Sequence, residues 1–143
     1  MSKSRWQAEL EKVRTAHRGR LHPKHVVDAA RDPKSPLHDK FEWDDRKASE
    51  AYRLQQATEL IRQVTFLPSG AKEPIRAYVS LSSDRLSRGG FRATVDVLND
   101  AQLKAVMIED AKQELAAFQQ RYDKLRKIAQ FKGVFRAIDR ITE

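Results

Sequence analysis

The chain has 143 residues, of which 28 are Lys or Arg and 20 are Asp or Glu, giving a formal net charge of +8. A chain of this length supports one hydrophobic core, so we expect a single domain over residues 1–143. The sequence contains no cysteine, which excludes disulfides and cysteine-ligated zinc. No apolar run reaches the length of a membrane span or a signal-peptide core, and we therefore expect a soluble cytoplasmic protein with no membrane partner.

The positive charge is concentrated at the two ends of the chain. Residues 1–31 hold eight basic and three acidic residues, and residues 121–143 hold seven and three. Residues 32–60, in contrast, hold five basic and seven acidic residues. A basic surface attracts polyanions, because neutralising their phosphates releases condensed counterions. The alternative is a solubilising surface that has no polyanion partner.

Residues 1–64 are predicted to be helical. Apolar residues recur there at helical spacing, and Gly and Pro residues separate the periodic stretches. Pro23 fits the first turn of a helix, where its missing N–H costs nothing. The pattern predicts helices at residues 5–17, 22–31 and 45–63, with Asp44 or Asp45 as the N-cap of the last.

Residues 64–98 change to a period of two. The stretches "IRAYVSLS" and "FRATVDVL" alternate apolar and polar residues, and together with "VTFL" they predict an antiparallel β-meander with one buried face. Arginines beside an exposed tyrosine can hold phosphates and stack a base. The same pattern also suits a plain solvent-facing sheet. The predicted outward side chains are Arg76, Tyr78, Arg92 and Thr94, with Arg88 on the adjoining loop.

Residues 99–143 are predicted to form a long helix and a basic tail. Asn99 and Gln102 have the spacing of a capping box, and apolar residues then recur every three or four positions to residue 130. Such a seam predicts a homodimer, or a hairpin with the first helix. The tail from Phe131 to Ile141 is basic and amphipathic, so it either contacts a polyanion or folds back on its own domain or its dimer mate. The predicted dimerisation residues are Ile108, Leu115, Phe118, Tyr122 and Leu125.

Two constellations suggest metal chemistry. "FEWDDRK" has the residue types of a metal-dependent nuclease, but adjacent carboxylates in a helix point about 100° apart and cannot face one ion. We interpret it instead as a structural contact that holds a helix. His22 and His25 are three residues apart and would need His17 or His38 to complete a metal site. No Gly-rich phosphate loop opens a helix. We therefore expect no enzymatic activity, no metal and no cofactor.

Three stretches carry a resemblance to a known family. The stretch "LHPKHVVDAARDPKSPLHDKFEWDDRKASEAYRLQQATELIR" is followed by "AYVSLSSDR" and "GGFRATVDVL". Over residues 5–130 the chain resembles a family of small proteins encoded in phages and prophages, which share the "SPLH" and "FEWDD" blocks. The resemblance assigns no functional residue. It implies a mobile-element setting, in which small basic proteins often bind DNA or regulate its expression.

From these features we predict an α+β fold and a non-enzymatic nucleic-acid-binding accessory or regulatory protein of a phage or mobile element. DNA is expected in preference to RNA. The alternative is a protein–protein interaction module, such as an adaptor, a virion component or an inhibitor of a host protein, that acts through its coiled-coil helix. The predicted nucleic-acid contacts are Arg14, Arg18, Arg20, Arg76, Tyr78, Arg88, Arg92, Lys132 and Arg136.

Overall fold

The structure is a computed structural model that describes residues 4–47 and 49–142. The chain forms two compact units, the first ending at Leu98 and the second beginning at Asn99. Helices combined with small antiparallel sheets confirm the predicted α+β class. No helix within the described ranges is both long enough and apolar enough to cross a membrane.

The first unit begins with two helices close to their predicted positions. A reciprocal pair of hydrogen bonds between Ser4 and Gln7 caps the first of them, and Pro23 occupies the first turn of the second. A third helix starts later than predicted, because the N-cap is Ser49, whose hydroxyl accepts the N–H of Tyr52. The helices are α1 (Arg5–Ala16), α2 (Pro23–Ala30) and α3 (Glu50–Gln63).

The "FEWDD" stretch lies in a loop that is fastened to α3. The carboxylates of Glu42 and Asp44 accept backbone N–H groups two residues further on, at 3.1 and 3.0 Å, and such local bonds compete with helix formation. Arg53 of α3 is 5% exposed and makes an ion pair with Asp45. Its guanidinium also donates to the Glu42 carbonyl at 3.0 Å and lies 5.2 Å from the centre of the Trp43 ring. The stretch therefore holds a helix as predicted, through Arg53 instead of an aspartate cap.

The predicted meander is only partly confirmed. The strands are β1 (Arg20–Leu21), β2 (Thr65–Phe66), β3 (Ile75–Arg76), β4 (Tyr78–Val79) and β5 (Phe91–Ala93). β5 pairs antiparallel with β4, as expected, and on its other side with β1, while β2 and β3 form a separate pair. β1 was not predicted, because two residues are too few to show alternation. Two segments are helical contrary to prediction: α5 (Thr94–Leu98) lies in a stretch predicted as strand, and α4 (Ser82–Arg85) lies almost wholly in the loop predicted between the strands.

The predicted faces of the sheet are wrong around Tyr78. Tyr78 is 3% exposed, and its hydroxyl donates to a Glu11 carboxylate oxygen at 2.6 Å. Thr94 is also buried and donates to the Arg76 carbonyl at 2.7 Å, whereas Ile75 is 37% exposed. Alternation separates two faces of a strand, but it does not say which face another element covers. Here α1 lies against the side that carries Tyr78.

The core of the first unit lies where α1, α2 and α3 meet the sheet. Its fully buried side chains come from all three helices and from the loop after α2. The packing holds the link between α1 and α2 beside β5, with Leu21 of that link inserted into the core. The fully buried members include Leu10, Leu21, Val26, Val27, Leu37 and Ile61.

The second unit is a helical hairpin. It consists of α6 (Ala101–Arg121) and α7 (Ala129–Thr142), and α7 folds back on α6. The rings of Phe118 and Phe135 lie 6.0 Å apart, and Asp139 accepts hydrogen bonds from Gln119 at 2.7 Å and Arg126 at 3.1 Å. The tail thus folds back within its own chain, which is one of the outcomes expected for it.

The predicted continuous helix to residue 130 is wrong, since α6 ends at Arg121. A long single helix would leave its apolar seam in water. The hairpin instead buries Phe135 and Ile138, which are 1% and 3% exposed. The predicted cap also differs: Asp100, not Asn99, caps α6, and its carboxylate accepts the N–H groups of Gln102 and Leu103, both at 3.0 Å.

Candidate anion-binding site

The site is built on the turn that ends α1. Arg18 has a φ of 60° and Gly19 a φ of 80°, so the chain leaves the helix through a left-handed turn. The turn is closed by a bond from the Gly19 N–H to the Arg14 carbonyl at 3.0 Å. Arg18 is the one non-glycine residue in the described ranges with a positive φ, a backbone conformation that is uncommon for residues other than glycine. The turn leads directly into β1, which carries Arg20.

An open cavity of about 640 Å³ lies beside this turn. Five cationic side chains line it, and they come from five different segments of the first unit. No carboxylate lines the cavity in the part of the chain that the structure describes. The pairing of β1 with β5 creates the cluster, because it places Arg20 opposite Arg92. The cationic residues are Arg18 in the turn, Arg20 in β1, Lys24 in α2, Arg88 in the loop before β5, and Arg92 in β5.

A buried carboxylate holds two of these arginines side by side. Asp84 is 3% exposed and accepts two hydrogen bonds from Arg92, at 2.7 and 2.9 Å. Arg20 lies 3.2 Å from the same carboxylate through Nη2. A carboxylate that binds two guanidinium groups offsets the repulsion between them. Asp84 offsets only part of the charge of the five cationic groups, so the lining of the cavity keeps an excess of positive charge.

Sequence reasoning did not identify Asp84. The available signal was its isolation: Asp84 is the single acidic residue in residues 74–95, a stretch with four arginines. A lone carboxylate among arginines is a candidate for an organising ion pair. The sequence around Asp84, however, does not indicate which arginines the carboxylate binds, because Arg20 lies in a distant part of the chain.

Three histidines also line the cavity. The rings of His17 and His25 are stacked with their centres 3.7 Å apart, and the rings of His22 and His25 are 5.0 Å apart. The lone pair of an imidazole nitrogen lies in the plane of its ring, so two stacked rings cannot both direct a nitrogen at one ion. Accordingly, no group of three His, Cys, Asp or Glu residues within the described ranges could hold a metal ion.

The cavity lowers the pKa of two of its histidines. Burial is the main cause for His22, and the positive charges of Arg20 and His17 act in the same direction. Burial is again the main cause for His25, followed by repulsion from His17 and His22. Both rings are therefore neutral at pH 7, and each can donate one N–H.

Two predicted nucleic-acid contacts lie elsewhere and are already engaged. Arg14 is ion-paired with Glu11 at 2.9 Å and with Asp96 at 3.1 Å, and the bond to Glu11 raises the pKa of Arg14. Burial, the main cause, and the bond to Glu11 raise the pKa of Tyr78. The predicted roles of Arg14 in tracking a backbone and of Tyr78 in stacking a base are therefore not supported by their geometry. Both line a separate cavity of about 350 Å³.

The remaining predicted residues are divided between the two units. Arg76 is exposed on β3, outside the basic cavity, and Lys132 and Arg136 are exposed on α7. Among the predicted dimerisation residues, Ile108 and Tyr122 are 46% and 40% exposed. Leu115, Phe118 and Leu125 are half-buried, and Phe118 contacts Tyr122 and Phe135 within the hairpin.

Comparison of the chain with protein-family models, with curated proteins and with solved structures gives no match.

Proposed function

We propose that the protein is a non-enzymatic nucleic-acid-binding accessory or regulatory protein of a phage or mobile element. The supporting observation is the basic cavity, in which Arg18, Arg20, Arg88 and Arg92 lie together with Lys24. Guanidinium and ammonium groups are the side chains that bind phosphate oxygens most strongly. Four of these five residues, all except Lys24, are among the nucleic-acid contacts predicted from the sequence.

The same geometry favours binding to the backbone over reading of bases. Phosphate contacts fix position on a nucleic acid but carry little sequence information. Tyr78, the aromatic residue expected to stack a base, is buried. We therefore propose binding with weak sequence preference. The choice of DNA over RNA rests on the mobile-element setting implied by the resemblance.

A salt titration tests the proposal. Fluorescence anisotropy of random-sequence duplex DNA, single-stranded DNA and RNA is measured over a range of salt concentrations. We expect log K to fall linearly with log salt, with a slope of about −0.9 for each phosphate neutralised on duplex DNA. Arg18→Gln and Arg88→Gln should each reduce the magnitude of the slope by about 1.

Arg62→Gln is the matched control. Arg62 is an exposed arginine on α3 outside the cavity, and its loss changes the net charge equally. Its slope should equal that of the wild type. Absence of binding at low salt contradicts the proposal, and so does an equal loss of affinity in all three variants.

The second candidate is a protein–protein interaction module that acts through α6. No residue of α6 is buried, although it carries the seam residues Ile108, Leu115 and Phe118. The hairpin covers this apolar face only in part, since Ile108 is 46% exposed. An exposed apolar face on a helix favours a partner, and we propose a second copy of the chain.

Sedimentation measurements test this second candidate. The wild type should be a dimer, and Ile108→Asp should shift it to a monomer because a charge in an apolar interface is costly. Gln113→Asp, on the opposite side of α6, should leave the dimer intact. A stable dimer that binds no nucleic acid at low salt would favour the interaction module, whereas a monomer at all concentrations excludes the dimer.

A further inference from the structure

We infer that the basic cavity binds a terminal phosphate monoester, the phosphorylated end of a nucleic-acid strand, in preference to a phosphodiester within the strand. This inference rests on the proposed function and names the part of the nucleic acid that the cavity recognises. Three observations carry it: the arrangement of the cationic groups, two buried nitrogen atoms without partners, and the volume of the cavity.

The cationic groups that line the cavity come from separate segments of the chain. The turn after α1 contributes Arg18, α2 contributes Lys24, and the loop before β5 contributes Arg88, while Arg20 and Arg92 come from adjacent strands. A phosphodiester has one negative charge and must let the strand enter and leave. A monoester has three terminal oxygens and about −1.5 to −2 charges at pH 7, and it is attached on one side only. An open cavity lined by five cationic side chains matches the higher charge and single attachment of the monoester better.

Two buried nitrogen atoms lack a partner in this cavity. Within the described ranges, Arg20 Nη1 and His25 Nδ1 are the buried side-chain polar atoms that make no hydrogen bond. Both residues line the basic cavity. A buried donor without an acceptor is unfavourable, and such groups in a native protein call for an explanation. An oxyanion with several acceptor oxygens would accept from both nitrogens once side-chain rotation turns them to the cavity surface, with the proton of His25 on its Nδ1 atom.

Asp84 explains why Arg20 retains a donor for a ligand. The Asp84 carboxylate accepts two hydrogen bonds from Arg92 and lies 3.2 Å from Nη2 of Arg20. It holds both guanidinium groups in place and leaves Nη1 of Arg20 unbonded. Asp84 is thus a positioning residue, and Arg20 is a proposed ligand-binding residue.

The cavity is large enough to admit more than a phosphate group. About 640 Å³ falls within the range of sites that bind small organic ligands, roughly 300–1,000 Å³. The terminal nucleotide can therefore follow its phosphate into the cavity. A free nucleoside monophosphate has the same chemistry, so the experiment must separate the two sources.

Binding of the full chain to three single-stranded DNA oligonucleotides tests the inference. They share one sequence and an internal fluorophore and differ in carrying a 5′-phosphate, a 3′-phosphate or hydroxyl groups at both ends. At one fixed salt concentration and pH 7.5, we expect at least tenfold tighter binding of one phosphorylated form than of the hydroxyl form. Unlabelled deoxyadenosine monophosphate should compete more weakly than the phosphorylated oligonucleotide.

For each variant, the measured quantity is the ratio of the affinity for the preferred phosphorylated oligonucleotide to the affinity for the hydroxyl form. This ratio does not depend on the fraction of folded protein. Arg88→Gln and Arg18→Gln alter exposed residues and should each reduce the ratio at least threefold. Arg62→Gln should preserve the ratio.

Each other outcome overturns a different claim. Equal affinity for all three oligonucleotides contradicts the terminal-phosphate inference and leaves the proposed nucleic-acid function intact. Binding of deoxyadenosine monophosphate without binding of any oligonucleotide contradicts both the inference and the proposed function, and identifies a small-molecule site. Absence of all binding at low salt contradicts the proposed function itself.

Discussion

Gly90 and His22 are in direct contact at the edge of the basic cavity. A Cβ atom at position 90 would lie 2.8 Å from Cε1 of His22, which is closer than such atoms approach in proteins. Gly90 also has a φ of 89°, where residues with a side chain are strained. The neighbouring Gly89 has a φ of 68° but nothing within 4 Å of its Cβ position. The two glycines therefore separate the effect of backbone strain from that of the histidine contact.

We expect Gly90→Ala to lower the free energy of unfolding by roughly 2–4 kcal/mol, the sum of left-handed strain and the displaced imidazole. Gly89→Ala should lower it by only about 1–2 kcal/mol, since this substitution introduces backbone strain without a contact to the histidine. Urea denaturation of both variants provides the measurement. If the two variants lose the same stability, the His22 contact does not constrain position 90.

At the scale of the element, the start of α6 shows how one residue decides a cap. Asn99 and Asp100 both belong to the residue types that cap helices, and spacing to Gln102 favoured Asn99. In the structure Asp100 accepts two N–H bonds at 3.0 Å. A negative charge at this position also interacts favourably with the positive end of the helix dipole, which an amide cannot match.

We predict that Asp100→Ala destabilises the first turn of α6 by about 1 kcal/mol, whereas Asn99→Ala changes it by less than about 0.5 kcal/mol. Hydrogen exchange of the α6 amides reports this locally, so the result does not depend on how the two units unfold. Faster exchange in Asn99→Ala than in Asp100→Ala would contradict the assignment of the cap.

At the scale of the whole molecule, we predict that the histidines of the cavity couple binding to pH. The pKa values of His22 and His25 lie below the usual value of about 6.5, because burial and nearby positive charge disfavour the imidazolium. The charged neighbours that lower the values are His17, Arg20 and Lys24, and the carboxylates of Asp28 and Asp84 act in the opposite direction. A bound phosphate would favour the imidazolium and raise both pKa values.

We therefore expect nucleic-acid affinity to rise as the pH falls through the interval between the pKa values of the bound state and the lower values of the free state, since protons are taken up on binding over that interval. The matched control is the double variant His22→Gln/His25→Gln, which retains the titration of the phosphate but not that of the histidines. Affinities are measured between pH 8 and 5.5 at constant ionic strength. The ratio of wild-type to variant affinity should rise several-fold, and a flat ratio would show that the histidines do not contact the anion.

The sequence predicted part of the site because composition reveals charge. The basic first segment predicts Arg18 and Arg20, and the predicted strand face and its adjoining loop predict Arg92 and Arg88. All four line one cavity in the structure. Arg14 and Tyr78 were named by the same reasoning and are instead held by Glu11. Charge and alternation do not show which side chains another element will cover. Arg14 and Tyr78 are examples, because neither charge nor alternation indicates that Glu11 of α1 binds both of them.

The sequence by itself determined the helices α1 and α2, the α+β class and the excess of positive charge, because periodicity, caps and composition act between residues close in the chain. Only the tertiary structure decided that β1 pairs with β5, that Asp84 joins Arg20 to Arg92, and that α6 ends where α7 folds back. These features depend on contacts between distant segments, whose free energy is gained only when the whole core packs.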